Sequence, residues 1–379
     1  MSFTELDTAY MARAIELAKQ GRFTTTPNPN VGCVLVKDGE IVGEGFHQLA
    51  GQGHAEVNAL AVAGDNAKGA TAYVTLEPCS HYGRTPPCAE GLKAAGVSKV
   101  IAAMVDPNPA VSGRGLQILA DAGISVASGL LEQQARDLNK GFLKRMESGL
   151  PYVTCKMACS LDGKTALNNG QSKWITGSKA RQDVQAFRAQ SCAILTGADT
   201  VLTDNAKLNV RIEELPFTMP TSLPLRQPTR VIIDSQNRLT TELALFSIES
   251  PVIIFTTSLD NQHQWPHFVK HEVVPAVNNK VDLSALLKRL AELQVNHIWL
   301  EAGATLAGVF AEQDLIDEYI VYIAPKLIGD MGKSLLNFAE VTMMSDITEL
   351  TFTDTVMIGD DIRITAKKAK QATDIENKE

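Results

Sequence analysis

Short runs of β-branched and apolar residues alternate with helical patterns along almost the whole chain, and this alternation restricts the fold more than any other feature. The runs are "VGCVLV" (31–36), "AYVTL" (72–76), "KVIAAM" (99–104), "CAILTG" (192–197), "RVIID" (230–234), "PVIIF" (251–255) and "HIWLE" (297–301). Such strands, separated by helices, predict α/β architecture with largely parallel sheets. The clearest helix, "VDLSALLKRLAELQV", sets Leu283, Leu286, Leu287, Leu290 and Leu293 on one face, a stripe that belongs to a core. "KDGEIVGEG" adds a hairpin through Asp38-Gly39.

A chain of 379 residues exceeds what one core usually supports, and 45% hydrophobic content is ample for two. The expected boundary is "RMESGLPYV" (145–153), where Gly149 and Pro151 interrupt between a basic helical stretch and a new strand. This gives domains over 1–147 and 151–367, with a polar tail over 368–379 that is expected to be disordered. The Pro-rich stretch 213–230 is too long and too apolar for a linker, and reads as a surface loop of the second domain.

The net charge of −8, without a run of lysine and arginine beyond "KKAK", argues against a nucleic-acid partner. No run of 18 apolar residues is present, so no membrane helix is expected. "MSFTELDTAYMARAIELAKQG" reads as an amphipathic helix instead of a signal peptide, and the expected location is the cytoplasm. There glutathione keeps thiols reduced, and six cysteines in 379 residues is far from disulfide-rich density.

Cys79 and Cys88 in "TLEPCSHYGRTPPCAEG" are open to three readings: a disulfide, a pair of core thiols, or half of a metal site. The compartment disfavours the first. Upstream, "GQGHAEVNAL" places His54 and Glu56 before a helical pattern, and His-x-Glu followed by Pro-Cys and a second cysteine is the signature of zinc-dependent base deaminases. One imidazole and two thiolates cancel the charge of Zn²⁺ and leave a fourth tetrahedral position for water. Glu56, a carboxylate that is not a ligand, is placed to carry protons. Cys33, Cys155, Cys159 and Cys192 lie in or beside strand-like segments and read as packing. His263, His267 and His271 would align on a helix, but Pro266 interrupts it and no carboxylate or cysteine joins them.

Eight residues separate the two cysteines, against two in most deaminase signatures. With this gap, "EPCSHYGRTPPC", "TTPNPNVGCVLV" and "HAEVNAL" closely resemble the deaminase half of the bifunctional riboflavin-biosynthesis deaminase-reductase family. The resemblance continues through "DPNPAVSGRGL", "LNKGFLKRM", "SLDGKTA" and "SKWITGS", covering nearly all of residues 1–367. It implies a cytidine-deaminase-like α/β/α domain followed by a dihydrofolate-reductase-like α/β domain. It implies zinc on His54, Cys79 and Cys88, proton transfer by Glu56, and substrate contacts at Asn28 and His47. The alternative for Asn28 is that it only shapes a Pro-rich turn. Arg84 stands evenly between a phosphate contact and a solvated loop charge.

The second domain has no Gly-x-Gly-x-x-Gly after a strand, and "GATLAGVF" (303–310) lacks the Lys-Ser/Thr of a phosphate loop. "HIWLE" nevertheless turns through Ala302-Gly303 into a helix near Thr305, where small residues would let a phosphate approach the backbone. The resemblance implies NADPH here, contacted by Ala158, Trp174, Thr200, Asp204, Ser235 and Gly303, Ala304, Thr305, Leu306, Ala307, Gly308 and Val309. It implies ribose-phosphate contacts at Ser172, Arg188, Leu208, Arg211 and Glu301. "DNAKLNVR" departs from the family form, with Asn205 and Ala206 in place of an aspartate and a proline.

The activity implied is zinc-dependent deamination of a phosphoribosyl-pyrimidine, then NADPH-dependent reduction of its ribosyl group, by a chain expected to be a homo-oligomer. A nucleoside or tRNA deaminase is the second reading, disfavoured by the acidic balance and the eight-residue gap. A zinc-stabilised binding module is the third, and it would have no need of Glu56.

Overall fold

A computed structural model of the chain describes residues 3–80, 87–109, 111–218, 224–259 and 263–369. Two compact units are present, one running to Pro151 and the other beginning at Tyr152. Residues 224–226, from the Pro-rich stretch assigned above to the second domain, group with the first unit. Arg84 and the tail from residue 370 lie outside the described residues.

The first unit opens on helix α1 (Glu5–Lys19). The Thr4 hydroxyl accepts the Asp7 N–H at 3.1 Å and the Asp7 carboxylate accepts the Thr4 N–H at 2.8 Å, so two helix-start donors are satisfied reciprocally. Strands β1 (Gly32–Lys37) and β2 (Glu40–Phe46) follow, joined by Asp38 and Gly39, whose φ values of +49° and +82° are those of the tight hairpin turn expected there. Next come α2 (Ala55–Ala63), β3 (Thr71–Val74), α3 (Cys88–Ala94), β4 (Lys99–Ala102), α4 (Arg114–Asp121), β5 (Ser125–Ser128), α5 (Glu132–Leu138) and α6 (Lys140–Ser148). The sheet runs β2-β1-β3-β4-β5, antiparallel in its first two pairings and parallel in the rest.

Alternate side chains of a strand face opposite sides, and β1 shows this directly. Val34 and Val36 pack with Met11, Ile15 and Leu143 from α1 and α6, while Cys33 and Leu35 pack with Ala55, Ala59, Leu92 and Leu119 from α2, α3 and α4. The result is the α/β/α sandwich that the resemblance implies. Helix α2 lies very close to β2, because Gly45 offers no side chain. A Cβ there would stand 2.5 Å from the Ala59 nitrogen and 2.6 Å from the Ala55 carbonyl oxygen. That approach seats the start of α2, where His54 and Glu56 are.

The second unit comprises β6 (Tyr152–Ser160), β7 (Lys164–Ala166), α7 (Ser178–Gln190), β8 (Ala193–Gly197), α8 (Ala198–Asp204), β9 (Thr229–Ile233), β10 (Val252–Thr256) and β11 (Val269–Val273). It continues with β12 (Ala276–Val277), β13 (Lys280–Val281), α9 (Leu283–Glu292), β14 (His297–Leu300), α10 (Ala304–Glu312), β15 (Glu318–Ala324), β16 (Lys333–Ser334), β17 (Leu350–Ile358) and β18 (Asp361–Lys368). Nine strands form one sheet in the order β11-β10-β9-β8-β14-β6-β15-β18-β17. All pairings from β11 to β15 are parallel, and the last two strands are antiparallel. The chain steps outward from β8 to β11, then returns to lay β14 between β8 and β6, so strand order reverses there. In open parallel sheets such a switch point is where ligands bind, at the carboxyl ends of the strands.

In α9 the predicted leucine stripe is buried at Leu283, Leu286, Leu287 and Leu290. Leu293 falls outside that stripe, since the helix ends at Glu292 and Leu293 caps it.

Replacing Gly45 by alanine should lower the stability of the first unit by about 1–3 kcal/mol, the usual cost of overpacking. A fall in the thermal unfolding midpoint of that unit would show it, and the exposed Glu40→Gln, on the same sheet, serves as comparison.

Candidate metal centre and nucleotide site

His54 is the N-cap of α2, Cys79 follows the end of β3, and Cys88 is the first residue of α3. Three separate elements thus deliver three donor atoms to one point. His54 Nδ1 lies 3.6 Å from Cys79 Sγ and 3.3 Å from Cys88 Sγ. Bond lengths of about 2.3 Å to sulfur and about 2.0 Å to nitrogen, at a tetrahedral angle, put nitrogen and sulfur about 3.5 Å apart, so the donor set fits zinc. Among the described residues, this is the one group of His, Cys, Asp and Glu side chains close enough to hold a metal.

The protonation pattern agrees. Cys79 Sγ accepts the Cys88 backbone N–H at 3.2 Å. Hydrogen bonding from Cys88 holds the Cys79 thiol far down, at about 4, while the same bond and burial push the Cys88 thiol up. Two thiols so close do not both ionise unless a cation lies between them. The hydrogen bond to Cys79 raises His54. Glu56, only 3% exposed, is pushed up to about 7 by burial and by the Cys79 charge.

His47 and Asn28 are gathered beside this centre. The His47 ring meets that of His54 edge-on at 5.4 Å. Its Nδ1 donates to the Gly53 carbonyl at 3.1 Å, which leaves Nε2 to accept from Asn28 Nδ2 at 3.1 Å. Burial lowers the His47 pKa, so the ring is kept neutral.

One residue essential to this geometry was not singled out in the sequence. Glu77, two positions before Cys79, is 3% exposed, and its carboxylate accepts four backbone N–H groups. Oε2 takes those of Asp106 and Gly113 at 3.1 and 2.9 Å, and Oε1 those of Gly115 and Leu116 at 2.8 and 3.3 Å. Gly115 is pressed against the Pro78 carbonyl, where a Cβ would stand 1.9 Å away. The segment "DPNPAVSGRGL" is therefore clamped onto the peptide that precedes Cys79.

In the second unit Arg188, on α7, grips Glu301, just past β14, through two hydrogen bonds of 2.6 and 2.8 Å. Arg188 also donates to the Asn209 carbonyl at 3.0 Å, and the Trp299 indole N–H donates to Glu301 at 2.8 Å. Burial would raise Glu301, but the Arg188 charge and hydrogen bonds, with Lys156, hold it down at about 2. Lys156, on β6, is a further residue that the sequence did not mark. Burial lowers its pKa, and the Glu301 charge opposes that fall.

At the switch point Gly303 is the N-cap of α10, and no side chain caps that helix start or places an acid in its first turn. The free N–H groups suit an anionic phosphate. Ser235 and Thr200 are half-buried beyond β9 and within α8, Asp204 is exposed at the end of α8, and Ala158 is half-buried near the end of β6. Ser172 is exposed, and Trp174 is 64% exposed. Other residues of the predicted set have different occupations. The Leu208 side chain is buried in the core, which leaves only its backbone for a ligand. Arg211 pairs with Glu214 at 2.6 Å. Ala307 and Gly308 are buried, and the space beside Gly308 is filled by the Asn337 carbonyl, 2.0 Å from where a Cβ would be. His267 pairs with Glu249 and His271 lies on β11, so the three histidines spaced by four are not brought together on a helix.

The family profile described as RibD C-terminal domain matches residues 151–364. The profile described as cytidine and deoxycytidylate deaminase zinc-binding region matches residues 4–104. The riboflavin biosynthesis protein RibD of Haemophilus influenzae is 52% identical over 368 residues, spanning 96% of this chain and 98% of its own. A solved RibD structure from Acinetobacter baumannii is 45% identical, with a TM-score of 0.86 over 97% of this chain and 99% of that one. A Thermotoga maritima structure, described as a diaminohydroxyphosphoribosylaminopyrimidine deaminase/5-amino-6-(5-phosphoribosylamino)uracil reductase, is 32% identical. Its TM-score is 0.84, covering 96% of this chain and 99% of that one.

Metal analysis of the purified chain should find one zinc per polypeptide, lost in Cys88→Ser. Glu77→Gln turns an amide NH₂ toward backbone donors, and should speed zinc loss to a chelator by about 10-fold or more, the range for residues that orient metal ligands.

Proposed function

The chain belongs to the RibD family of bifunctional riboflavin-biosynthesis deaminase-reductases, and from that premise we propose a specific division of labour. The first unit hydrolyses the 2-amino group of 2,5-diamino-6-(5-phosphoribosylamino)pyrimidin-4-one. The second reduces the product with NADPH to 5-amino-6-(5-phosphoribitylamino)uracil. The convergence of His54, Cys79 and Cys88 beside buried Glu56 carries this reading, because a purely structural zinc site would need no such acid.

His54, Cys79 and Cys88 would hold zinc, which would lower the pKa of a water there from about 15.7 towards 7. Glu56 takes a proton from the attacking water and returns protons to the ring nitrogen and the departing amine. The water oxygen bonds to the ring carbon, the carbon–nitrogen bond breaks, and ammonia leaves. In this reading His47 and Asn28, hydrogen-bonded to each other beside the metal ligands, would meet the polar edge of the pyrimidine.

In the second unit, the hydride to the ribosyl C1′ would come from NADPH. Arg188 and Glu301 fix each other, and the pair presents a rigid hydrogen-bonding surface to the ribose phosphate. Opening the sugar breaks the bond from C1′ to the ring oxygen, and that oxygen must receive a proton. Of the two cations beside Glu301, arginine does not titrate, so Lys156 is the proton donor in this reading.

The cytoplasm is the setting we propose, because the six free cysteines include two that must remain thiolates. No helix among the described residues is long and apolar enough to cross a membrane. We also propose self-association through the edge carrying β17, where Phe352, Met357 and the nearby Met344 are 68%, 61% and 80% exposed. Sedimentation of the purified protein as a monomer would reject that.

Two separate assays test the chemistry. Glu56→Gln should lose deamination by at least about 10²-fold, yet oxidise NADPH normally when given the deaminated pyrimidine. Lys156→Met should keep deamination and lose NADPH oxidation by a similar factor of about 10². Because the protonated lysine is the active form, wild-type reduction should decline as pH rises, with a midpoint below the ordinary lysine value of 10.5. NADPH oxidation at wild-type rate in Lys156→Met would remove that residue from the mechanism.

A further inference from the structure

Trp174 combines two properties that rarely coincide. Its indole is 64% exposed, yet the backbone from Trp174 onward is tied at each of four successive residues. The Lys326 ammonium donates to the carbonyls of Trp174 and Ile175 at 2.9 and 2.6 Å. Arg181 donates to the Thr176 carbonyl at 3.0 Å, and the Gly177 N–H donates to the Asp361 carboxylate at 2.7 Å. Asp361 is itself 3% exposed. The Arg181 guanidinium also lies 4.4 Å from the centre of the indole, stacked over it.

Lys326 is held just as firmly. Its N–H donates to Ala324 at 2.8 Å and its carbonyl accepts the Leu161 N–H at 2.8 Å. Two residues on, the N–H groups of Ile328 and Gly329 donate to Asp162 at 3.0 and 2.7 Å. The segments after β6 and after β15, neighbours in the sheet, are thus fastened together, and Lys326 reaches from one to the loop of the other.

A large aromatic surface left in water on a mobile loop would lose much of its binding energy to ordering when a ligand arrives. On a loop already fastened that loss is removed. We propose that Lys326 is a positioning residue, which holds the 174–177 loop so that the Trp174 indole meets the flat face of the nicotinamide ring of NADPH. This rests on the reading that the second unit binds NADPH. Lys326 itself does not touch the cofactor, and acts through the two carbonyls it holds.

NADPH titrated into the full-length, zinc-loaded protein, without substrate, gives the affinity through energy transfer from tryptophan to the dihydronicotinamide. Lys326→Met should weaken binding by about tenfold, the scale of one large side chain left to be ordered on binding. Lys326→Arg should restore most of it. Trp174→Ala should weaken binding comparably, and Lys326→Met in that background should add little, as expected of two residues acting through one contact. In turnover, Lys326→Met should raise the KM for NADPH and leave kcat within about twofold. Deamination by the first unit should stay at the wild-type rate.

Wild-type affinity in Lys326→Met, or losses that add in the double variant, overturns the proposal while the NADPH reading stands. A wild-type chain that binds no NADPH overturns both. Should Lys326→Met unfold the second unit, the milder Lys326→Gln, which keeps a donor, carries the same comparison.

Discussion

Two sulfur atoms held 3.6 and 3.3 Å from one imidazole nitrogen are a charge problem with one simple solution. Both thiols can ionise together only around a cation, and a dication balances them. The first unit is organised to make that arrangement cheap to hold. Gly45 lets α2 approach the sheet so that His54 and Glu56 are aimed from the first turn. Pro87 ends the preceding loop and α3 begins at Cys88, whose backbone N–H points at the other sulfur. Ligand positions must hold to about 0.2 Å for zinc, and rigid helix starts achieve this better than free loops.

The second site is built by charge instead of metal. A partly buried ion pair such as Arg188 with Glu301 contributes little net stability, because removing both ions from water offsets their attraction. Its value is geometric: two hydrogen bonds fix a planar fork, and the Trp299 N–H donates to Oε1, the oxygen that also accepts from Arg188 Nε. Behind it, Phe187 stacks on Trp299 at 4.9 Å with the planes 4° apart, so the ring that supports Glu301 is itself supported.

What was legible in the sequence follows from how locally each residue declares its role. His54, Glu56, Cys79 and Cys88 could be read because metal chemistry restricts residue type, and each stands at an element boundary with recognisable turn residues. Glu77 could not, since its partners are backbone N–H groups 29 to 39 positions away, which carry no mark in the sequence. Lys156 and Lys326 stand in no motif that declares a chemical role, and their contacts depend on the strands around them. Gly308 and Leu208 lie in motifs that the resemblance attaches to ligands, while packing claims their side-chain space and leaves their backbone for such a contact. The strand pattern likewise marked β3, β4, β8, β9, β10 and β14 but not the parallel strands β5, β11 and β15, nor the β17–β18 hairpin, where the alternation of "TFTDTVMIGDDIRITAK" is broken by a bulge between Phe352 and Asp354.

The acidic balance acquires a different meaning in the fold. From the sequence, −8 served to exclude a nucleic-acid partner. In the structure, several of those acids do internal work at the loops that carry the sites. Glu77 accepts four N–H groups, Asp162 those of Ile328 and Gly329, and Asp234 those of Arg238 and Leu239. Each supplies the acceptors that irregular backbone needs where no ladder or helix can. Hydrogen bonds from Ser160 and these amides hold Asp162 down at about 2, so its clamp is complete above the ordinary aspartate value and is lost only as pH falls through about 2. Net charge alone therefore does not show how these acids are used, since Glu77, Asp162 and Asp234 spend their acceptor oxygens on the backbone of their own fold.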